Sequence, residues 1–125
     1  MDDSTLISAL VESYGRQLLL YQSLTALVQK TLSQIILTRG EISGLMGEFG
    51  RKKVLLEDIL KERAAAEPLV ASWQDRKAAV PKSERTAQLD LLLSKTQTVI
   101  REFLDGEEQL KKCLEHAVKK GNAVS

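Results

Sequence analysis

The stretch Ser4 to Thr38 reads STLISALVESYGRQLLLYQSLTALVQKTLSQIILT. Apolar or neutral residues recur in it at Ile7, Val11, Tyr14, Leu18, Tyr21, Thr25, Val28, Leu32 and Ile35. The steps alternate between four and three residues, which is the spacing of a heptad seam. A strand would need a period of two, so a strand is ruled out. The predicted helix is about 50 Å long at roughly 1.5 Å per residue. Ser4, or one of the two aspartates before it, can cap its start, because the side-chain oxygen accepts from a free backbone N–H.

The surface of this segment is unusual. From Thr5 to Thr38 the only charges are Glu12, Arg16 and Lys30. A second apolar row, Leu6, Leu10, Leu20, Leu24 and Leu27, lies beside the first. An apolar arc this wide implies two neighbours rather than one. Either two other helices of the same chain cover it, or part of it faces another chain.

Working outward, Arg39-Gly40 breaks the pattern, and Gly40 can take the left-handed conformation that closes a helix. A second helix is expected over about residues 41–78. Its apolar set is Ile42, Leu45, Met46, Phe49, Leu56, Ile59 and Leu60. Gly44, Gly47 and Gly50 weaken its start, at roughly 1 kcal/mol each relative to alanine. They either allow close helix approach or mark a bend. Pro68 removes a donor and clashes with the preceding turn, so a kink is expected there. Leu69, Val70 and Trp73 continue on one face, and residues 76–83 read as a connection ended by Pro81.

The third helix is expected over about residues 83–120. Ser83 is a good N-cap, followed by Glu84, which suits the helix dipole. Its seam is Leu89, Leu93, Thr96, Ile100, Phe103, Leu110, Leu114 and Ala117, with Gly106 as a thin spot. Lys119 and Lys120 favour the dipole at the last turn, Gly121 is a natural stop, and residues 122–125 are expected to fray. The short connections favour antiparallel neighbours. The expected fold is a single all-α domain over residues 1–125: an antiparallel three-helix bundle, or a long helical hairpin with a third amphipathic helix.

Composition limits the function classes. Lys plus Arg number 18 and Asp plus Glu 17 in the 125 residues. A net charge of +1 builds no field to steer nucleic acid, and an aromatic content of 4% is poor for base stacking. The most apolar region, Leu18 to Val28, is interrupted by Gln22, Ser23 and Thr25, so no membrane span is expected. The polar face of the first helix lacks the Lys and Arg that anionic lipid would favour. One cysteine, Cys113, has no internal disulfide partner. No signal peptide is read at the N-terminus, which points to the cytoplasm.

Catalytic signatures are missing. There is no phosphate loop, no G-x-G-x-x-G, no H-E-x-x-H and no G-x-S-x-G. The glycines at 40, 44, 47 and 50 follow helix spacing with no preceding strand. Cys113 and His116 stand three apart, as neighbours on a helix do, but two ligands make a weak metal site. The expectation is therefore no enzyme, no cofactor and no metal. Trp73 reads as a large residue locking the second helix onto its neighbours, or as an exposed anchor. Arg51-Lys52-Lys53 reads as a solvated face or a docking run.

In order along residues 10–120, several features coincide. A leucine-rich first helix ends at Thr38-Arg39-Gly40-Glu41. Ile42-x-x-Leu45 follows, then Lys52-Lys53-x-Leu55-Leu56-x-x-Ile59 and Arg63, then Trp73 ahead of a linker. A last amphipathic helix carries Leu89 to Leu93, Ile100 and Leu110 to Leu114. With these features the chain resembles the FlgN-like family of flagellar type III export chaperones. The resemblance implies a small cytosolic helical protein that holds hook-filament junction (hook-associated) proteins before export. It implies that the last helix covers an amphipathic C-terminal segment of the cargo, a helix-in-groove mode. Carried onto this chain, the partner-binding candidates are Leu92, Leu93, Val99, Ile100, Phe103, Leu104, Leu110 and Leu114.

Contact with the export apparatus also comes into view. Some members of the family dock there through a C-terminal tyrosine, whereas both tyrosines here, Tyr14 and Tyr21, lie in the first helix. The chain also lacks a long polar tail after the last helix. The related chaperone for the filament cap protein is a further match the residues leave open. Outside the resemblance, the alternative is a self-associating coiled coil or tether, a homodimer meeting through Leu20, Leu24 and Leu27.

Overall fold

A computed structural model describes the backbone of residues 1–124 and the side chains of residues 1–119. It contains helix α1 (Asp3–Leu37), a 3-10 turn (Ser43–Leu45), α2 (Met46–Arg76) and α3 (Glu84–Val124), with no strand among the described residues. The all-α bundle expected from periodicity is therefore observed.

Local chemistry sets the ends of α1. The backbone N–H of Thr5 donates to the Asp2 carboxylate at 2.7 Å, so Asp2 is the cap. That bond holds the Asp2 carboxyl below its usual range. Folding lowers this pKa, so the stabilisation is present above the ordinary carboxylate range and fades as pH falls through the folded value.

At the other end, Gly40 N–H donates to the Ile35 carbonyl at 2.9 Å and Arg39 N–H to Ile36 at 3.2 Å. This pair of bonds is a Schellman closure. The residue expected to take the left-handed position was Gly40. Gly40 does take a positive φ, of 89°, and Arg39 before it is left-handed as well, with φ of 57°. An L-residue there crowds its Cβ against the backbone, at about 1–2 kcal/mol. Arg39→Gly is expected to raise stability by about 1 kcal/mol and Gly40→Ala to lower it by about as much, read from denaturant midpoints.

The second helix starts at Met46, not at Glu41. The Thr38 hydroxyl has the Gln34 carbonyl at 2.8 Å and the Glu41 carbonyl at 3.0 Å as acceptors for its one proton, and Ser43 N–H donates to the Glu41 carboxylate at 2.9 Å. These local bonds compete with helix hydrogen bonding and hold residues 38–43 in a turn. A Cβ at Gly44, Gly47 or Gly50 would meet nothing within 4 Å, so these glycines serve no close approach. Pro68 lies inside an unbroken α2. It is exposed, as is Ala64, whose carbonyl loses its donor, so water can take up the freed group. Ser83 and Thr86 cap α3 reciprocally: each backbone N–H donates to the other's hydroxyl, at 2.8 and 3.3 Å. Gly121 does not end α3, which runs on to Val124 and leaves Lys119 and Lys120 upstream of the final turn. Of the tail expected to fray, Ser125 lies outside the described residues.

Both apolar rows of α1 are covered by the same chain. Helix α1 packs along α2 and α3, while the α2 and α3 backbones stay apart from each other. Leu6, Ile7 and Leu10 meet Trp73 near the end of α2 and Leu89 near the start of α3. At the far end Ile35 shares a cluster with Leu45 and Leu110. Helices α1 and α3 are thus parallel, with α2 antiparallel to both. Between the two apolar clusters lies a polar waist of buried Ser13, Gln17 and Thr96. The Ser13 hydroxyl donates to Glu62 at 3.0 Å, Gln17 donates to Ser13, and Arg16 Nε donates to Glu62 at 3.0 Å. The bundle ties its middle with these polar bonds, where apolar side chains are fewest.

Candidate protein-binding groove

The waist has a consequence for the surface. Helix α2 carries Ala64-Ala65-Ala66 there, and α3 presents Thr96. These short side chains fail to fill the space between α2 and α3, and a groove of about 700 Å³ opens. Tyr14 and Gln17 of α1 lie in it, with Leu60 and Val70 on the α2 side and Leu93 and Ile100 on the α3 side. A smaller hollow of about 260 Å³ continues it toward the α2–α3 connection, sharing Tyr14, Val70 and Leu93. In the other direction the two helices are tied by Lys52, which donates to Glu107 at 2.7 Å.

The groove is mixed in character, with Arg63, Glu67 and Gln97 lining it beside its apolar residues. Burial pushes the Tyr14 hydroxyl above its usual value, and the Arg63 guanidinium offsets part of that rise. The phenol is therefore neutral around pH 7. Leu60 is 64% exposed on the wall, although its apolar neighbours in sequence suggested a core position. A leucine held out over this partly apolar trough is a surface that a further apolar group can cover, with Arg63 and Glu67 at hand for polar partners.

The eight residues that the family resemblance singled out divide into groups. Leu93 and Ile100 line the groove. Leu104 is 58% exposed, and together with Leu114 it borders a depression beyond the Lys52–Glu107 tie. Leu92 is half-buried against the cluster around Trp73. Val99, Phe103 and Leu110 are buried in the core, so they hold α3 to the bundle and are not free to receive a partner. Gly106 is not a thin spot. A Cβ there would lie 3.1 Å from Val28 Cγ1, which makes it a place of close α1–α3 approach.

Other singled-out residues have structural roles. Trp73 is buried among Leu6, Leu10 and Leu89, as the locking reading expected. Lys52 pairs with Glu107, while Arg51 pairs with Glu48 at 3.3 Å. Ser13 beside Glu62 has the look of a nucleophile and base, but Ser13 is 1% exposed and no substrate can reach it. Among the described residues no three His, Cys, Asp or Glu side chains gather to hold a metal. No helix among them is long and apolar enough to cross a membrane. Comparison with protein-family models, with curated proteins and with solved structures finds no match.

Proposed function

We propose that this chain is an export chaperone that holds the amphipathic C-terminal helix of a hook-associated protein in the α2–α3 groove before type III secretion. The observation that carries the reading is the arrangement of the three helices. Helix α1 lies along both others while the α2 and α3 backbones seldom come close, and the hollow between their walls leaves a seam that a fourth helix can cover. An amphipathic guest helix fits that seam, with its apolar face on Leu60, Leu93 and Ile100. The resemblance of the sequence to FlgN-like chaperones names the class of guest. On this reading the protein works in the cytosol and performs no catalysis.

The self-associating reading needs Leu20, Leu24 and Leu27 at a surface. Leu24 is fully buried, Leu27 is buried beside a surface hollow and Leu20 is half-buried, so these three do not form an exposed seam for a second copy.

The test is a titration with peptides made from the C-terminal segments of hook-associated proteins, followed by fluorescence anisotropy. Covering Leu60 is worth about 1.5–3 kcal/mol, so Leu60→Glu is expected to weaken binding at least about tenfold. Because Leu60 is exposed, the melting temperature should hardly move. Unchanged affinity of Leu60→Glu would remove the groove from the proposal. Failure of every such peptide to bind would remove the cargo assignment.

A further inference from the structure

We infer that the turn end of the bundle is a second docking surface, for an acidic segment of a partner protein that carries an aliphatic or aromatic anchor. The site lies where α1 ends against the last part of α3, on a different seam from the α2–α3 groove, and it stands or falls independently of the chaperone reading. A hollow of about 480 Å³ opens there. Its apolar surface comes from Ile36, Cys113 and Ala117, and Arg39, Lys112 and His116 surround it. No acidic side chain lines it.

Two independent observations mark this end. Ile36 is 70% exposed and its neighbour Leu37 81%, so two adjacent large aliphatics at the helix end are left in water. The bundle had room for polar residues at both positions. The second observation is Arg39, an arginine in the left-handed conformation at the rim. Glycine is the residue that fits this backbone without strain. Backbone strain held at one residue points to a role for its side chain.

Charge and shape select the occupant. The nearest carboxylate partner of Lys112 is Glu108 at 4.0 Å, with both side chains exposed. Such a loose surface pair is screened and leaves the ammonium available. An apolar hollow with two cations at its rim, Arg39 and Lys112, complements an apolar side chain flanked by carboxylates. Nucleic acid is disfavoured because no aromatic side chain lines the hollow to stack on a base. A lipid surface is disfavoured because Arg39 and Lys112 fall short of the polybasic cluster that anionic headgroups attract.

Cys113 supplies the readout, because it is the chain's single cysteine and it lines the hollow. The full chain is panned against a random phage-displayed peptide library, and recovered peptides are synthesised. Their effect on the rate at which Cys113 reacts with a thiol reagent is then measured. The expected peptides carry Phe, Leu or Trp between Asp or Glu residues and slow Cys113 modification. They should bind at least about tenfold more weakly to the Arg39→Glu, Lys112→Glu double variant.

Arg39→Gly keeps the test sound if charge reversal disturbs folding. It relieves the backbone, so it should melt higher than the parent and yet bind these peptides more weakly. Peptides without acidic bias, or equal binding by Arg39→Gly, would overturn the inference. So would protection of Cys113 by phosphatidylserine vesicles in place of the peptides, or by dimerisation of the chain seen in sedimentation.

Discussion

Trp73→Ala is expected to destabilise the protein by about 3–5 kcal/mol, a large part of the stability of a domain this size. Trp73 is buried near the C-terminal end of α2, and its ring joins three helices at one point. It lies against Leu6 and Leu10 of α1 and shares their cluster with Leu89 of α3. Partly buried Leu69, Val70, Leu92 and Leu93 border this cluster and Trp73 also lines the hollow of about 260 Å³, so truncation enlarges a space that these side chains and water partly fill. Urea denaturation followed by far-ultraviolet circular dichroism measures the cost. Trp73→Phe, which keeps most of the ring volume, should recover more than half of the loss. A truncation costing under about 1 kcal/mol would mean that the tryptophan is a surface residue in solution.

The second large effect concerns Gly106. Three substitutions separate backbone entropy from steric contact. At Gly47, in the first turn of α2 with open space around it, alanine should stabilise by about 0.5 kcal/mol, part of the helix-interior gain. At Gly106 the helix-interior gain meets a Cβ 3.1 Å from Val28 Cγ1, and Val28 is itself buried. The two terms oppose, so Gly106→Ala should be close to neutral. Gly106→Leu adds three further carbons where α1 leaves no space, and overpacking should cost about 1–3 kcal/mol. The order Gly47→Ala above Gly106→Ala above Gly106→Leu, in thermal melts under one buffer, is the expected result. If Gly106→Leu melts with the parent, α3 does not approach α1 closely at this point.

Much of the fold was legible because burial writes a period into the chain. The two rows of α1, from Ile7 to Ile35 and from Leu6 to Leu27, announce two neighbours, and α1 has two. Periodicity reports how wide an apolar face is but not what covers it. For that reason the choice between own helices and a foreign chain stayed open until the packing of α2 and α3 was known. The same blindness divided the candidate site. Phe103 and Leu104 are adjacent leucine-like positions in the sequence, yet one is core and the other exposed. Leu60 sits next to buried Ile59 and was missed as a groove wall for the same reason.

The helix ends failed differently. The start of α2 slipped because Thr38, Glu41 and Ser43 satisfy each other's backbone groups locally, a bond pattern that apolar spacing does not contain. Gly40 takes the positive φ expected of glycine, and the structure adds a left-handed Arg39 before it, which glycine preference alone does not announce. The open groove had a readable signal, in hindsight of its geometry: Ala64-Ala65-Ala66 opposite Thr96 is too little volume for a filled three-helix layer.

The central place of α1 also dictates an order of assembly. Its contacts with α2 are made by one short turn, whereas those with α3 join residues some eighty positions apart, such as Ile7 and Leu89. Loop closure favours the nearer pairing, so the α1–α2 hairpin is the early structure and α3 is the late one. During synthesis the hairpin is complete before α3 has been made. In that interval the α3-facing side of α1 around Val28 has nothing to lie against, and it closes only when Gly106 arrives and lets the third helix settle close. The nascent chain is thus most exposed to mispairing just before its last third emerges.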